Sequence, residues 1–439
     1  MNRYGMMTKG ALLLSSLLVV SGCSAGTTTE TEGGAAANTD GEIVTLTFLN
    51  SQSEGTYDDV IAAFQAENPN IKVEVQSVPF SELIAQTQAR LGTQDSSIDV
   101  LTVDPPRLPD MAERGFLVDV SSDLPGMKEK ISDVAVSSIS FDDKQWAFPV
   151  WTSANYLLYN KEILNAAGVE APGPDDSDRW TWERLLDATK KTIDSGAAKN
   201  GITFEQVDRY YQMQPLLMSL GADAGLSGPG NLTPEVNSQK WKEFGQWYKE
   251  LHSSGLAPKG VEPAQTKELF KAGELAFYLA TPIRLFDIQE GDFKDKWGLA
   301  PAPYFEGGQV YTPTDSWAVG VSAFSENQEE ALKFARYMAL NPEGVALASA
   351  KLNLPPVHMD AQAAYASLLQ QIAPTQAGTL SELIAIDTEK YAVHRPSSVG
   401  YVEFEVAINK AFSDIRNGGD VGNILDNTQD ELVRQLSRR

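Results

Sequence analysis

The chain has 439 residues, 42% hydrophobic and 21% charged, ordinary soluble usage that fits neither wholesale disorder nor a multi-span membrane protein. Its formal net charge is -24 at pH 7, and a surface so acidic repels phosphate backbones, which argues against nucleic acid as a partner. About 400 residues follow the leader and tether described next, enough for two or more domains.

Arg3 and Lys9 form a positive start, and residues 11–20 (ALLLSSLLVV) an apolar core too short to span a bilayer comfortably. Val20-Ser21-Gly22-Cys23 then resembles the bacterial lipobox, in which the cysteine is acylated and becomes the new N-terminus; a plain cleavable signal is the alternative. Residues 1–22 are thus expected to be removed. Cys23, the single cysteine, is expected to carry the lipid anchor, which leaves no thiol for a disulfide. Residues 23–40 are small, polar and aperiodic, as in a flexible tether. No later run is apolar and long enough to span a bilayer.

The body opens with a β-branched strand, IVTLTFL at residues 43–49. Tyr57, Val60, Ile61 and Phe64 follow at helical spacing until Asn68-Pro69 stops them. IKVEVQSV (71–78) alternates as a half-exposed strand, residues 81–91 form a helix ended by Gly92, and IDVLTV (98–103) is a short buried strand broken by Asp104-Pro105-Pro106. Strands alternating with helices predict a largely parallel sheet. Ligands sit at the carboxyl ends of such strands, which selects the loop 50–54 and the loop Asp104 to Arg107.

The run WAFPVWTSANYLLYNK (146–161) mixes aromatic faces with hydroxyls and amides. Trp146, Phe148, Trp151, Tyr156 and Tyr159 offer rings while Thr152, Ser153, Asn155 and Asn160 offer hydrogen bonds, the combination a neutral polyhydroxylated ligand needs. Pro149 fixes a dihedral where the chain is expected to pass between two halves. Beyond it the pattern turns mostly helical. Thr181 caps a helix with Leu185 and Leu186, and Trp241, Phe244, Tyr248 and Leu251 mark another; Trp182, Trp241 and Trp247 are assigned to packing. PGPDDSD (172–178) lacks the glycine and final glutamate of a calcium loop. Residues 275–280 form a strand followed by Thr281-Pro282-Ile283-Arg284, and residues 318–321 form another. Ser325-Glu326-Asn327-Gln328 matches a capping box. His394-Arg395-Pro396 precedes a helix striped by Tyr401, Phe404, Ile408, Phe412 and Ile415, and a last amphipathic helix covers about 421–436.

FLNSQSEGTYDDVIAAFQAENPNIKVEV, DVLTVDPPRLPDMAERGFLVDV, WAFPVWTSANYLLYNKEILNAAGV, TWERLLDATKKT, LFKAGELAFYLATPIR and the run from Trp297 through Pro356 come in an order that resembles the extracellular solute-binding proteins of ABC importers. The branch is that of the maltose-binding and multiple-sugar-binding proteins. The resemblance covers nearly all of the body and implies an α/β, two-lobed periplasmic-binding-protein fold (type II-like) with a hinge and an interlobe ligand cleft. It implies one lobe from 41–148 plus 318–357 and another from 149–317 plus 358–439. It also implies ligand contacts at Gln52, Ser53, Asp104, Arg107, Trp151, Ser153, Arg284, Asp315, Trp317, Arg395 and Tyr401. Val103 stands where the family often has an aromatic, and Arg284 where many relatives have a tryptophan, which leaves room for a saccharide shaped or charged differently from a maltodextrin.

The expected function is therefore that of a monomeric, non-catalytic receptor on the outer face of a bacterial membrane, using no cofactor or metal. It would pass a saccharide to ABC permease subunits. A surface-tethered hydrolase lacks a G-x-S-x-G elbow or H-E-x-x-H motif here, and the only histidines are His252, His358 and His394. A ligand-sensing lipoprotein for a membrane kinase would use the same fold.

Overall fold

Strands and crossover helices build two separate sheets in residues 43–289, 291–314 and 317–439, the residues that this computed structural model describes. The leader, the tether with Cys23, and Asp315 lie outside the described residues. In chain order the strands that form the two sheets are β1 (Val44–Asn50), β2 (Ile71–Ser77), β3 (Val100–Val103), β4 (Phe148–Trp151), β5 (Tyr156–Asn160), β6 (Asn200–Phe204), β7 (Leu275–Ala280), β8 (Trp297–Pro301) and β9 (Trp317–Val321). The first sheet has the order β2-β1-β3-β9-β4 and the second β8-β5-β7-β6.

In the first sheet β1 runs parallel to both β2 and β3, as βαβ alternation requires. The expectation of a largely parallel sheet holds for these strands. It fails at β9, which arrives from far along the chain and runs antiparallel to β3 and β4. β3 is buried at all four positions, which explains its continuous apolar run. The helix Asp58–Glu67 covers this sheet with Val60, Ile61 and Phe64. Asp58 and Asp59 in its first turn suit the positive end of the helix dipole, and the Asn68 amide donates to the Phe64 carbonyl at 2.9 Å to close its last turn. Phe64 meets Phe334 and Tyr337 at 5.1 and 5.5 Å between ring centroids. The helix Gln328–Leu340 thereby joins the same core. That helix starts after Asn327, without the expected capping box, because the Ser325 hydroxyl bonds the buried Asp99 instead.

In the second sheet β5 is antiparallel to β7 and β8, while β7 is parallel to β6. Its aromatic core confirms the packing roles of the three tryptophans. Trp182 meets Trp247 edge-on at 5.2 Å, and Trp241 stacks on Phe412 at 6.1 Å. The Thr181 hydroxyl caps the helix Trp182–Asp194 by accepting from the Arg184 N–H.

The chain passes between the sheets near Thr152, Thr314 and Pro355. The Thr152 N–H donates to the Pro355 carbonyl at 3.0 Å and the Thr314 N–H to the Val393 carbonyl at 3.3 Å. Pro149, Val150, Trp151 and Trp317 stay with the first sheet, although the expected boundaries assigned them to the other lobe. The ladder pairing β4 with β9 holds them there.

Candidate functional site

A cavity of about 420 Å³ opens where strands of both sheets end. From the first sheet, Gln52 follows β1 and Asp104 follows β3. From the second, Glu205, Gln206 and Arg209 follow β6, and Thr281 and Arg284 follow β7. Carboxyl ends of parallel strands carry loops rather than ladder partners, so their polar groups are free to face a ligand. The loop after β1 is set by Asn50, whose side-chain oxygen accepts the Gln52 N–H at 2.7 Å.

The first lobe supplies an aromatic wall. Trp151 ends β4 and Trp317 begins β9; the two are ladder partners, with a register shift just after Trp317. Such irregularities re-aim side chains beside binding sites. Both rings line the cavity yet remain largely inside the lobe's own core, at 1% and 7% exposure. Phe80, the first residue of the helix Phe80–Gly92, stands edge-on to Trp317 at 5.9 Å and is 40% exposed.

The second lobe supplies charge. Glu205 accepts from the Thr281 N–H and hydroxyl, each at 2.8 Å, and from Arg284 Nε at 2.7 Å. Burial works against the Arg284 charge, but Glu205, together with Tyr278 and Asp287, outweighs it and raises the pKa. A second cluster joins the lobes: Arg395 grips Asp104 with both terminal nitrogens, at 3.1 and 2.5 Å. Arg107 reaches the same carboxylate at 3.0 Å and also pairs with Glu405. Asp104 and Arg107 come from the first lobe, Arg395 and Glu405 from the second. Burial opposes the Arg107 charge too, and the two carboxylates reverse that effect and raise its pKa.

Of the residues expected from sequence, Gln52, Asp104, Trp151, Ser153, Arg284, Trp317 and Arg395 line the cavity. Three others lie elsewhere. Ser53 is exposed and turns its carbonyl to Thr56. Arg107 is buried and spent on Asp104 and Glu405. Tyr401 is fully buried, its hydroxyl donating to Glu405 at 3.3 Å and accepting from Arg395 at 3.4 Å. Much of the run 146–161 also serves packing. Phe148 is core, the Trp146 indole bonds the Phe141 carbonyl, and Asn160 caps the helix Lys161–Ala167. Sequence reasoning missed Glu205, Gln206, Arg209, Tyr211 and Glu405; the β-branched run Ile202-Thr203 before Phe204, read as a strand, would have pointed to the loop that holds the first three.

A larger cavity, about 630 Å³, lies beside the crossing segments, lined by residues such as Val134, Pro356, Val357, Ile384 and Ala385. Its walls are mostly aliphatic. It holds a single amide and a single carboxylate, Gln362 and Glu389, and lacks the tryptophans and guanidinium groups of the smaller cleft, which is therefore the candidate ligand site. Among the described residues no group of three or more histidines and acids is placed to hold a metal ion, and no helix is long and apolar enough to cross a membrane.

The family model of the bacterial extracellular solute-binding proteins matches residues 50–344, well over half of the chain. The chain belongs to this family. Among its curated relatives is the sn-glycerol-3-phosphate-binding periplasmic protein of Rhizobium meliloti, 25% identical over 283 residues, which are 61% of this chain and 59% of that protein. Solved structures similar to this solute-binding protein include an ABC substrate-binding protein from Listeria monocytogenes in complex with cycloalternan, with a TM-score of 0.76, 22% identity, and coverage of 90% and 100% of the two chains. The GacH receptor of Streptomyces glaucescens, studied unliganded and with acarbose, matches with a TM-score of 0.76, 24% identity, and coverage of 90% and 99%. These likenesses carry the two-lobed fold.

Proposed function

We propose that this solute-binding protein is a non-catalytic receptor that captures a saccharide, in the main an oligosaccharide, outside the membrane and delivers it to ABC permease subunits. The observation that carries this reading is the pairing of a tryptophan wall with a wall of planar hydrogen-bonding groups across one cleft. Aromatic rings cover the apolar faces of pyranoses, while carboxylate, amide and guanidinium groups take up hydroxyls. The carbohydrate ligands named for the Listeria and Streptomyces proteins support it. The protein acts as a monomer held at the outer membrane face by lipid on Cys23, and residues 23–40 give it reach.

The lobes close about the crossing segments, and the ligand is held between them. The Asp104–Arg395 pair brings the lobes into register. An ion pair this buried loses about as much by desolvation as it gains by attraction, so it orients closure without locking it. Ligand contacts made to both walls tip the balance. Closure also expels water, which strengthens each polar contact inside.

The test uses protein lacking residues 1–23, melted against neutral and acidic mono- and oligosaccharides. A ligand that binds only the folded state raises the melting temperature by mass action. A clear rise for a saccharide recovered uncleaved is the expected result. No rise for any saccharide overturns the reading, and recovery of cleaved sugar moves it to a hydrolase.

A further inference from the structure

The charges that line the cleft are matched with one exception. Arg284 is held by Glu205 and reaches Asp287 at 3.4 Å, and Arg395 is held by Asp104. Arg209 is half-buried and lines the same cleft, but among the described residues it has no carboxylate partner. The side-chain contact it does make is with the Phe80 ring, 6.0 Å from the guanidinium carbon. In a chain of net charge -24 acids are abundant, so an arginine without one in a binding cleft is a specific placement. Arg209 immediately precedes the ten-residue helix Tyr210–Ser219 without a side-chain capping bond, and Tyr211 in its first turn lines the cleft.

Phe80 comes from the first lobe and Arg209 from the second, so the contact between ring and cation spans the cleft. Around a neutral sugar this strips water from the guanidinium and supplies no counterion, which is costly. Around a sugar bearing an anionic group it replaces water with charge-assisted, bidentate hydrogen bonds. Gln206, in the same loop and half-buried, offers an amide to the ring hydroxyls beside it.

We propose that Arg209 selects a saccharide carrying an anionic group, a carboxylate or a phosphate, held between the Phe80 ring and the loop after β6. This rests on the saccharide-receptor reading and narrows it.

The experiment measures affinity by calorimetry for matched probes: digalacturonic acid against neutral galactobiose, and glucose 6-phosphate against glucose. The preferred acid should bind on the order of tenfold or more tighter than its neutral partner, and whether that acid is the uronate or the phosphate distinguishes the two anions. Arg209→Gln should erase that preference while leaving the melting temperature nearly unchanged, and Arg209→Lys should keep part of it. Equal or tighter binding of a neutral probe, unaffected by Arg209→Gln, overturns the proposal and leaves the receptor reading standing. Binding of no probe, with no saccharide raising the melting temperature, removes both.

Discussion

The first lobe faces the cleft with rings sunk in its own core, Trp151 at 1% and Trp317 at 7% exposure, whereas the second faces it with side chains held by charge, Glu205 on Arg284 and Arg395 on Asp104. The aromatic wall keeps its shape whether or not a ligand is present, because the β4–β9 ladder and the packing beneath it are already complete. The charged wall depends on ion pairs, of which Arg395 with Asp104 crosses between the lobes. One wall is a platform; the other reads what lies on it. Damage to the first should cost stability and affinity together, while damage at the rim of the second should cost affinity and selectivity alone.

The sharpest break of this comparison is Trp151→Ala. Removing a fully buried indole should destabilise the fold by about 3–5 kcal/mol, measured by urea unfolding, and weaken saccharide binding as well. Unchanged stability with lost binding would mean that Trp151 is a ligand platform only. Next comes Glu205→Gln, which leaves Arg284 largely buried without its nearest counter-charge and should cost about 3 kcal/mol; a neutral outcome would show that Asp287, 3.4 Å away, suffices.

Smaller is the acid sensitivity of the second lobe at His252, whose imidazole is 1% exposed and whose pKa burial depresses from 6.5 to about 4. The neutral ring is favoured in the fold, and the unfolded chain takes up a proton first. This contribution is therefore complete above pH 6.5 and lost as the pH falls from 6.5 towards 4, amounting to about 2 kcal/mol at pH 5. Chemical unfolding at pH 7 and pH 5 should show that difference, and His252→Gln should reduce it. The smallest effect on folding is Arg209→Gln, within about 0.5 kcal/mol; a larger loss would make Arg209 a structural residue and blur the distinction between the walls.

The first lobe was the more legible in sequence. Apolar patterning marked β1, β2 and β3, the rule that ligands sit at the carboxyl ends of such strands selected the loops after β1 and β3, and the family resemblance singled out Gln52 and Asp104 in them. The family resemblance located Trp317 and Arg395. The second lobe was harder because β6 is five residues long, contains Gly201 and owes its place to pairing with β7 some 75 positions later. Local periodicity does not report such a pairing, so Glu205 and Arg209 went unseen. Arg107 shows the same limit. Whether it faces a ligand or a buried acid is decided by Glu405, 298 residues further on, and nothing near Arg107 in the sequence signals that partner.

The proposed saccharide sits between the two walls at the carboxyl ends of the strands. A crystal structure grown with the saccharide giving the largest rise in melting temperature tests it most directly. Density should appear flanked by Trp151 and Trp317 on one side and by Arg209 and Arg284 on the other. Density in the larger cavity beside the crossing segments, against Val357 and Ile384, with the interlobe cleft empty, would contradict it.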